Sequence, residues 1–207
     1  METDWTRHWE SNYGGLMWNF WRWRIKRAYR KLLNHTGMKS PTVLELGSGS
    51  GANSIAIAEI LNSKEIMLVD MNEKALEISK KLAKDSGLLL NLSYIKQDIL
   101  SLDLGKRFDI VHSEGLIEHF YGKERLKVFG KHVEFCREGG FVIIFVPNRN
   151  IIYSSFRLFF KMLNRWIWDE KALTKKQLRN LCAHFGLKII KEYTSPLIHE
   201  MGVLAKK

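Results

Sequence analysis

The amino-acid sequence predicts an α/β fold in which a doubly wound, mostly parallel sheet is covered by helices on both faces. Three observations support this prediction. At residues 42–61 an apolar β-type run ends in a glycine-rich turn that leads directly into a helical pattern. Strand-like and helix-like patterns then alternate as far as residue 147, and two β-type runs close the chain. Regular alternation of this kind is typical of parallel sheets with right-handed crossovers.

The alternating segment contains five predicted strands with helices between them. The strands are residues 42–46, 65–69, 92–95, 108–112 and 141–146, and the helices are 53–61, 73–86 and 123–136. The fifth of these strands is a continuous apolar run, as expected of a strand that is buried on both faces. Further on, Thr174 and Gln177 form a capping-box pattern that begins another helix. The final runs, 187–193 and 202–205, have the spacing of an antiparallel pair.

The length of 207 residues suits one well-buried domain and leaves little room for a second. No stretch approaches the roughly 18 apolar residues of a membrane-spanning helix, and the N-terminus lacks the apolar region of a signal peptide. Cys136 and Cys182 have neither metal-site nor disulfide spacing, which fits a reducing cytosol. We therefore expect a cytoplasmic protein that binds no metal. The oligomeric state is left open.

Charge and aromatic residues divide the chain into three segments, the last of which contains two parts. The net charge of +11 is made up of +5 in residues 1–40, −2 in residues 41–148 and +8 in residues 149–207. All seven tryptophans lie in the two basic flanks. We expect residues 1–40 to form a lid, 41–148 the cofactor core, 149–173 a substrate wall, and 174–207 the last helix and closing strands.

Each basic flank contains an apolar stripe at helical spacing. The N-terminal stripe consists of Met17, Trp21, Ile25, Ala28 and Leu32, and the second of Ile152, Phe156, Phe159, Leu163 and Trp166. A basic amphipathic helix can lie on an anionic membrane or along a phosphate backbone. It can equally pack its aromatic side on its own domain and leave its charges in solvent. Both interpretations remain open, including a peripheral contact with a membrane surface.

The glycine-rich turn is the strongest functional signal. Gly47, Gly49 and Gly51 occupy alternate positions before the helix that starts near Asn53. Glycines permit positive φ and close approach of a ligand, and the helix N-terminus offers unpaired N–H groups. The pattern fits the dinucleotide fingerprint, and equally the turn that binds S-adenosylmethionine (SAM) in class I methyltransferases. Asp70, at the end of the second strand, suits ribose hydroxyls in either case.

Other features favour a methyltransferase. Asp98, just after the third strand, is placed to accept from an adenine amino group, although a turn or cap role is the alternative for this residue type. The chain contains no Tyr-x-x-x-Lys, and no second domain is available for hydride chemistry. The closing pair of β-type runs also departs from a plain dinucleotide fold.

A family resemblance follows from several short segments in order. They are Glu45-Leu-Gly-Ser-Gly-Ser-Gly51, Asp70-Met71, Gln97-Asp98-Ile99, Phe108-Asp-Ile-Val-His-Ser-Glu-Gly-Leu-Ile-Glu-His119 and Glu138-Gly-Gly-Phe141. With this spacing, residues 42–147 and 187–205 resemble a class I SAM-dependent methyltransferase of the small group that includes ubiquinone/menaquinone-type enzymes. Residues 1–40 and 149–173 match no family motif.

The resemblance implies a seven-stranded sheet with an antiparallel last strand, and helical additions at the N-terminus and between strands 5 and 6. It implies a cofactor-binding set for SAM made of Glu45, Gly47, Ser48, Gly49, Gly51, Asn53, Asp70, Met71, Asp98, Ile99 and Glu114. Tyr13 is a further candidate, as a lid residue near the methionyl carboxylate. The resemblance also makes His119 the candidate general base. The alternative is that the His119 imidazole has a purely structural role. His112, within the fourth strand, is interpreted as a core residue.

The sequence is compatible with three functions. The favoured hypothesis is methyl transfer to a small-molecule or lipid-like acceptor. The second is an RNA methyltransferase whose basic aromatic flanks grip phosphates and stack bases. It is weakened by the lack of Asn/Asp-Pro-Pro-Tyr after the fourth strand. The third is a SAM-binding scaffold or subunit without turnover of its own.

Overall fold

The computed structural model describes residues 4–12, 15–163, 169–195 and 200–207. Within them, the strands are β1 (Val43–Leu46), β2 (Glu65–Asp70), β3 (Asn91–Lys96), β4 (Phe108–Glu114), β5 (Cys136–Pro147), β6 (Lys188–Thr194) and β7 (Glu200–Lys206). The helices are α1 (Trp5–Asn12), α2 (Gly15–Leu33), α3 (Ala52–Leu61), α4 (Glu73–Asp85), α5 (Gly122–Phe135), α6 (Ile151–Met162) and α7 (Lys175–His184). The predicted alternation of strands and helices is confirmed; the helical conformation of residues 5–12 was not predicted.

The strands form a single seven-stranded sheet with the order β3-β2-β1-β4-β5-β7-β6. The first five strands pair in parallel, whereas β7 pairs antiparallel with both β5 and β6. The sequence prediction of a mostly parallel sheet with an antiparallel last strand is confirmed.

The sheet is buried between two layers of helices. Alternate residues of β5 point to opposite layers, as the period of two in a strand requires. One layer contains α5 and α7 and packs on Val142, Ile144 and Val146. The other contains α2 and α3 and packs on Phe141, Ile143 and Phe145. The continuous apolar run of β5 is thus explained by burial on both faces.

Local signals at the helix ends agree with the sequence. The Asn72 side chain accepts from the backbone N–H of Ala75 and caps α4, directly after β2. Thr174 and Gln177 form the predicted capping box at the start of α7. Cys136 and Cys182 are both free and buried. Among the described helices, none has the length and apolar character needed to cross a bilayer.

The N-terminal amphipathic helix is only half buried by its own domain. The carboxyl half of α2 buries Ile25, Ala28, Tyr29, Leu32 and Leu33 in the layer with α3. In the amino half the exposed side chains are Leu16, Phe20, Trp21 and Trp23. The predicted stripe therefore holds from Ile25 onward. Trp21, which is 43% exposed, is less buried than packing of the whole stripe on its own domain would require.

The second stripe differs more strongly from the expectation. On α6, Tyr153 is buried, and the exposed apolar side chains are Ile151, Ile152, Leu158, Phe159, Met162 and Leu163. Most of this helix therefore presents apolar surface to solvent, because no described element packs on the stripe. The stripe's remaining members lie outside what is described: residues 164–168 as a whole, and the side chain of Phe156.

Candidate functional site

A cavity of about 820 Å³ lies at the carboxyl ends of the parallel strands. Its walls come from the turns after β1, β2, β3 and β4 and from the end of β5. β1 and β4 are neighbours in the sheet, but the helices that follow them, α3 and α5, pack on opposite faces. Open α/β sheets bind their ligands at such a switch point.

The glycine turn after β1 forms one wall of this cavity. Gly47 and Gly49 line it with φ values of +64° and +51°. A Cβ atom added to Gly49 would come within 2.3 Å of the Trp9 indole, so only glycine fits beneath that ring. Gly51, with φ of +68°, lies elsewhere: an added Cβ would meet Leu68 at 2.8 Å. Gly51 thus packs the turn against β2 behind the cavity wall, and its contact with the cofactor stays a prediction.

Asp70 joins the end of β2 to the glycine turn. Its carboxylate accepts from the backbone N–H of Gly49 at 2.7 Å and from that of Asn72 at 2.8 Å. Burial raises the pKa of Asp70, and these backbone hydrogen bonds oppose the rise. Beside it, the Ser48 hydroxyl lines the cavity, is buried and has no hydrogen-bond partner in the described structure. Asp70 therefore both shapes the turn and contributes to the cavity wall.

The turn after β3 supplies Asp98 and Ile99. The Asp98 side chain accepts from the backbone N–H of Leu100 at 2.9 Å and caps a 3₁₀ turn, Ile99–Ser101. The alternative role of a cap residue is therefore real, and it coexists with a place in the cavity wall. Ile99 is buried and lines the cavity, as does the exposed Met71.

A network of polar side chains supports the cavity floor. Asn53 donates to Glu114 at 2.6 Å and to Glu45 at 3.3 Å, and the Ser54 hydroxyl donates to Glu45 at 2.7 Å. Asn53 and Glu114 line the cavity, but Glu45, 1% exposed, lies behind them. Burial raises the pKa of Glu45 to about 8. Burial, and then the charge of Glu200, raise the pKa of Glu114. Glu45 thus supports the lining residues from behind, and its contact with the cofactor stays a prediction.

His112 continues this network into the core. Its Nε2 lies 2.9 Å from the Ser54 hydroxyl oxygen and its Nδ1 lies 2.9 Å from the Tyr29 hydroxyl. Because Ser54 donates its own hydrogen to Glu45, Nε2–H donates to Ser54 and Nδ1 accepts from Tyr29. Burial, followed by the neighbouring His132, lowers the pKa of His112 to about 3. His112 is therefore a neutral core residue, as the sequence interpretation had it.

The turn after β4 carries His119 into the cavity wall. Its Nδ1 lies 2.8 Å from the Asp169 carboxylate, and the Trp5 ring meets the imidazole edge to face at 5.0 Å between centroids. Glu118 is 1% exposed, and Glu170 lines the cavity beside it. Asp169 and Glu170 are far from His119 in the sequence, and the fold brings their carboxylates next to this candidate base.

Helix α1 covers the cavity on the side of the glycine turn. Trp5, His8 and Trp9 line the cavity, and Thr6 accepts from the Asn72 side chain at 3.0 Å. Burial lowers the pKa of His8. These contacts give part of the predicted lid a defined position. Tyr13, the lid residue predicted to reach the cofactor, lies outside the described residues.

Arg24 of α2 enters the cavity from the same side. Its guanidinium pairs with Glu200 at 3.0 Å and lies over the Trp21 ring at 4.5 Å from the centroid. Its Nε and Nη1 atoms are buried and have no hydrogen-bond partner among the described residues. Unpaired buried donors of this kind are costly, so they are suited to an anionic group of a ligand.

The cavity wall is predominantly acidic. The described acidic lining residues are Asp4, Asp70, Asp98, Glu114, Glu118, Glu170 and Glu200. The arginines in the wall are Arg22 and Arg24. A wall with this excess of carboxyl groups favours a cationic ligand over a polyanion.

Comparison with known proteins identifies the domain. Residues 43–140 match the family model described as "Methyltransferase domain". The chain carries a class I SAM-dependent methyltransferase domain. The sheet order and the antiparallel β7 agree with this assignment, and the family resemblance inferred from the sequence is confirmed.

Two curated relatives illustrate the similarity. The ubiquinone/menaquinone biosynthesis C-methyltransferase of Blochmanniella pennsylvanica is 30% identical over 56% of this chain and 47% of its own length. The ubiquinone biosynthesis O-methyltransferase of Azoarcus sp. is 24% identical over 75% of this chain and 68% of its own length. The chain thus spans about half the length of the first relative.

A solved structure gives the likeness in fold. Magnesium protoporphyrin IX methyltransferase from Synechocystis PCC 6803, with bound S-adenosylhomocysteine, matches with a TM-score of 0.75. The match covers 99% of this chain and 94% of that chain at 12% identity. At this identity the comparison shows the shared methyltransferase fold, which extends over the flanks as well as the core.

The methyltransferase domain brings together most of the residues singled out from the sequence. The predicted residues that line the cavity are Gly47, Ser48, Gly49, Asn53, Asp70, Met71, Asp98, Ile99, Glu114 and His119. Glu45 and Gly51 lie behind the wall. The contacts of all these residues with SAM stay predictions.

The substrate wall expected in residues 149–173 stays a prediction. Among the residues of this segment that the structure describes, Glu170 lines the cavity and the described side chains of α6 do not. The apolar stripe of α6 belongs to the outer surface of the methyltransferase domain instead. Periodicity in the sequence predicted a helix here correctly but not the direction in which its apolar side faces.

Several site residues were not found from the sequence. They are Trp5, Trp9, Arg24, Glu118, Asp169, Glu170 and Glu200. Two signals were available: Arg24 falls between Trp21 and Ala28 on one side of α2, and Asp169-Glu170 is the only acidic stretch within residues 149–173. For Glu200 the sequence offers no such signal, since its place depends on the antiparallel pairing of β7.

Proposed function

We propose that this chain transfers a methyl group from SAM to a small-molecule or lipid-like acceptor. The observation that carries the proposal is the acidic, tryptophan-covered cavity at the switch point of the sheet. Its volume of about 820 Å³ lies toward the upper end of the range for small-molecule sites, about 300–1,000 Å³. A volume of this size leaves room for an acceptor beside the cofactor.

The residues present fit SAM in four respects. Gly47 and Gly49 leave a surface without Cβ atoms, and the buried Ser48 hydroxyl has no partner in the described structure. The acidic wall suits the sulfonium charge. Asp70 and Asp98 stand at the ends of β2 and β3, where they would hold the ribose and the adenine amino group. The unpaired donors of Arg24 would donate to a carboxylate of the ligand.

When bound, SAM supplies an electrophilic methyl carbon whose bonding electron pair stays with sulfur as the acceptor's lone pair forms the new bond. The chain's main task is orientation, which is worth roughly 7–11 kcal/mol in such reactions. His119 would take the acceptor's proton at Nε2, because Asp169 holds Nδ1–H and fixes that tautomer. A positioned base adds about 10²–10⁴-fold.

The lipid-like class of acceptor is supported by the exposed apolar surface near the cavity. α2 contributes Trp18 and Trp21 to the cavity wall and exposes Phe20 and Trp23 next to them. α6 exposes its apolar stripe and is joined to the wall by the hydrogen bond from Tyr153 to Glu170. Together with the basic flanks, this surface favours contact with an anionic membrane. An acidic cavity disfavours the phosphates of RNA.

The test uses purified protein, SAM with a labelled methyl group and an extract of the source cells. We expect label in the lipid or small-molecule fraction. Label in RNA would overturn the acceptor class, and label in no fraction with SAM still bound would support a scaffold. The variant Asp70→Asn should abolish labelling, whereas Asp103→Asn, in an exposed loop, should not.

A further inference from the structure

A cluster of potential metal ligands lies in the cavity wall, on the side of β4. Glu118, His119 and Glu170 each offer one ligand atom, and these atoms all lie within 4.8 Å of one another. Two ligands about 2.1 Å from a common ion are separated by about 4.2 Å at most. In tetrahedral geometry the separation is about 3.4 Å, so a pair at the 4.8 Å limit would have to approach by about 1.4 Å to hold an ion.

The backbone holds the two parts of this cluster together. The Lys171 backbone N–H donates to the Glu118 carbonyl at 3.0 Å. The Arg125 guanidinium donates to the carbonyls of Ile117 and Phe120 at 3.0 and 2.7 Å, and also reaches those of Glu118 and Lys171. The segments that carry Glu118 and Glu170 are therefore fixed relative to each other before any ligand binds.

Glu118 gives an independent indication of a missing partner. Its side chain is 1% exposed, and its Oε2 atom is buried without a hydrogen-bond partner in the described structure. The nearby cation, Arg125, donates its hydrogen bonds to backbone carbonyls. A buried carboxylate oxygen without a partner is costly, and a bound cation would satisfy it.

The other two ligands already have the outer partners that metal sites use. The Asp169 carboxylate lies 2.8 Å from Nδ1 of His119, which leaves the lone pair of Nε2 for an ion. The Tyr153 hydroxyl donates to Glu170 at 2.8 Å. Carboxylate–histidine pairs and hydrogen-bonded carboxylates of this kind orient metal ligands. Trp5, edge to face with His119, further restricts the ring.

We propose that Glu118, His119 and Glu170 bind a divalent transition-metal ion, Mn²⁺ or Zn²⁺, in the wall of the cavity. One imidazole and two carboxylates are suitable donors for these ions. The remaining coordination positions would be open to water or to an acceptor oxygen. The expectation of a protein without metal is thereby replaced.

The ion would also define the acceptor more narrowly. Resting on the proposed methyl transfer, we infer that the acceptor presents a hydroxyl or carboxylate oxygen to the ion. A bound hydroxyl would lose its proton more easily, because the cation stabilises the oxyanion. With Nε2 coordinated, His119 would be a ligand and not the general base.

Metal binding is tested on the chelator-treated chain without SAM. Mn²⁺ is titrated and followed by the loss of the free-ion EPR signal, with Zn²⁺ as competitor. We expect one saturable site, weakened at least tenfold by Glu118→Gln or Glu170→Gln. The exposed-residue control Glu124→Gln should bind as the wild type does. Asp169→Asn, which changes only an outer partner, should weaken binding about 10–100-fold.

Absence of a saturable site, or unchanged binding by Glu118→Gln, would overturn the proposal. Circular dichroism of each variant checks that it is folded. If Glu118→Gln or Glu170→Gln is unfolded, the binding measured for Asp169→Asn still decides the test. SAM binding is measured separately on the metal-free chain. If the wild-type chain binds SAM but not Mn²⁺, the result counts against the proposed metal site alone. If it binds Mn²⁺ but not SAM, the result counts against the proposed methyltransferase function alone.

Discussion

Replacing Glu45 by glutamine should change how the stability of the domain depends on pH. In the folded chain burial raises the pKa of Glu45 from 4.5 to about 8. The unfolded chain therefore releases this proton near pH 4.5, while the folded chain retains it until about pH 8. Between these values the folded state binds more protons, so the wild type loses stability as pH rises. Glu45→Gln cannot ionise and should not show this loss.

The size of the effect follows from the shift in pKa. Each unit corresponds to about 1.4 kcal/mol, so a shift from 4.5 to about 8 sets a ceiling of roughly 5 kcal/mol. Glutamine resembles the protonated carboxyl group of the wild type, because each has one oxygen that accepts and one group that donates; it cannot accept from Asn53 and Ser54 at two separate oxygens as the charged carboxylate does. The variant should thus be close to the wild type at pH 5 and more stable by a few kcal/mol at pH 8.

Urea denaturation of both proteins between pH 5 and pH 8, without cofactor, measures this difference. His112 contributes in the opposite direction, since its depressed pKa costs stability as pH falls below about 6.5. That contribution is common to both proteins and cancels in the difference. Glu124→Gln, at an exposed position, serves as the control. A constant difference between Glu45→Gln and wild type across this range would refute the reasoning.

Three further predictions concern the cavity. Gly49→Ala should lower SAM affinity at least tenfold, because its Cβ would fill the space above the glycine turn that a ligand takes once the Trp9 indole has left. Gly105→Ala, with a similar φ of +58° and nothing within 4 Å, isolates the cost of backbone strain, and equal SAM affinities of the two variants would contradict the steric argument. Asp70→Asn should lower SAM affinity more than tenfold in calorimetry while the protein stays folded; unchanged affinity would remove the ribose assignment. Arg24→Gln should cost about 3–5 kcal/mol in urea denaturation, since it leaves a largely buried carboxylate unpaired; Arg179→Gln, from an exposed pair, should cost about 1 kcal/mol or less, and similar losses would refute the difference in burial.

Much of the fold was predictable because its signals are local. The glycine turn, the apolar run of β5 and the capping box at Thr174 each determine one element without reference to the rest of the chain. Their order along the sequence then restricts the topology, because parallel strands require crossover helices. The positions of Asp70 and Asp98 at strand ends followed from the same reasoning.

The remainder of the site depends on contacts between distant residues. Glu118 and Glu170 are 52 positions apart and meet only because Arg125 and a backbone hydrogen bond join their segments. Likewise, periodicity showed that α6 has an apolar side, but no local rule states whether another element covers it. The burial of Glu45 behind Asn53 is of the same kind, because it depends on how α3 packs on β1 and β4.

Because the Trp9 indole lies against Gly49, the binding and release of ligands depend on the motion of α1. A molecule that is to touch this glycine needs the indole to leave first, and α1 is a helix of only eight residues. Residence times would then be set by how often the helix opens rather than by the strength of each ligand's own contacts. Association rates should accordingly level off at high ligand concentration, at the opening rate of the helix.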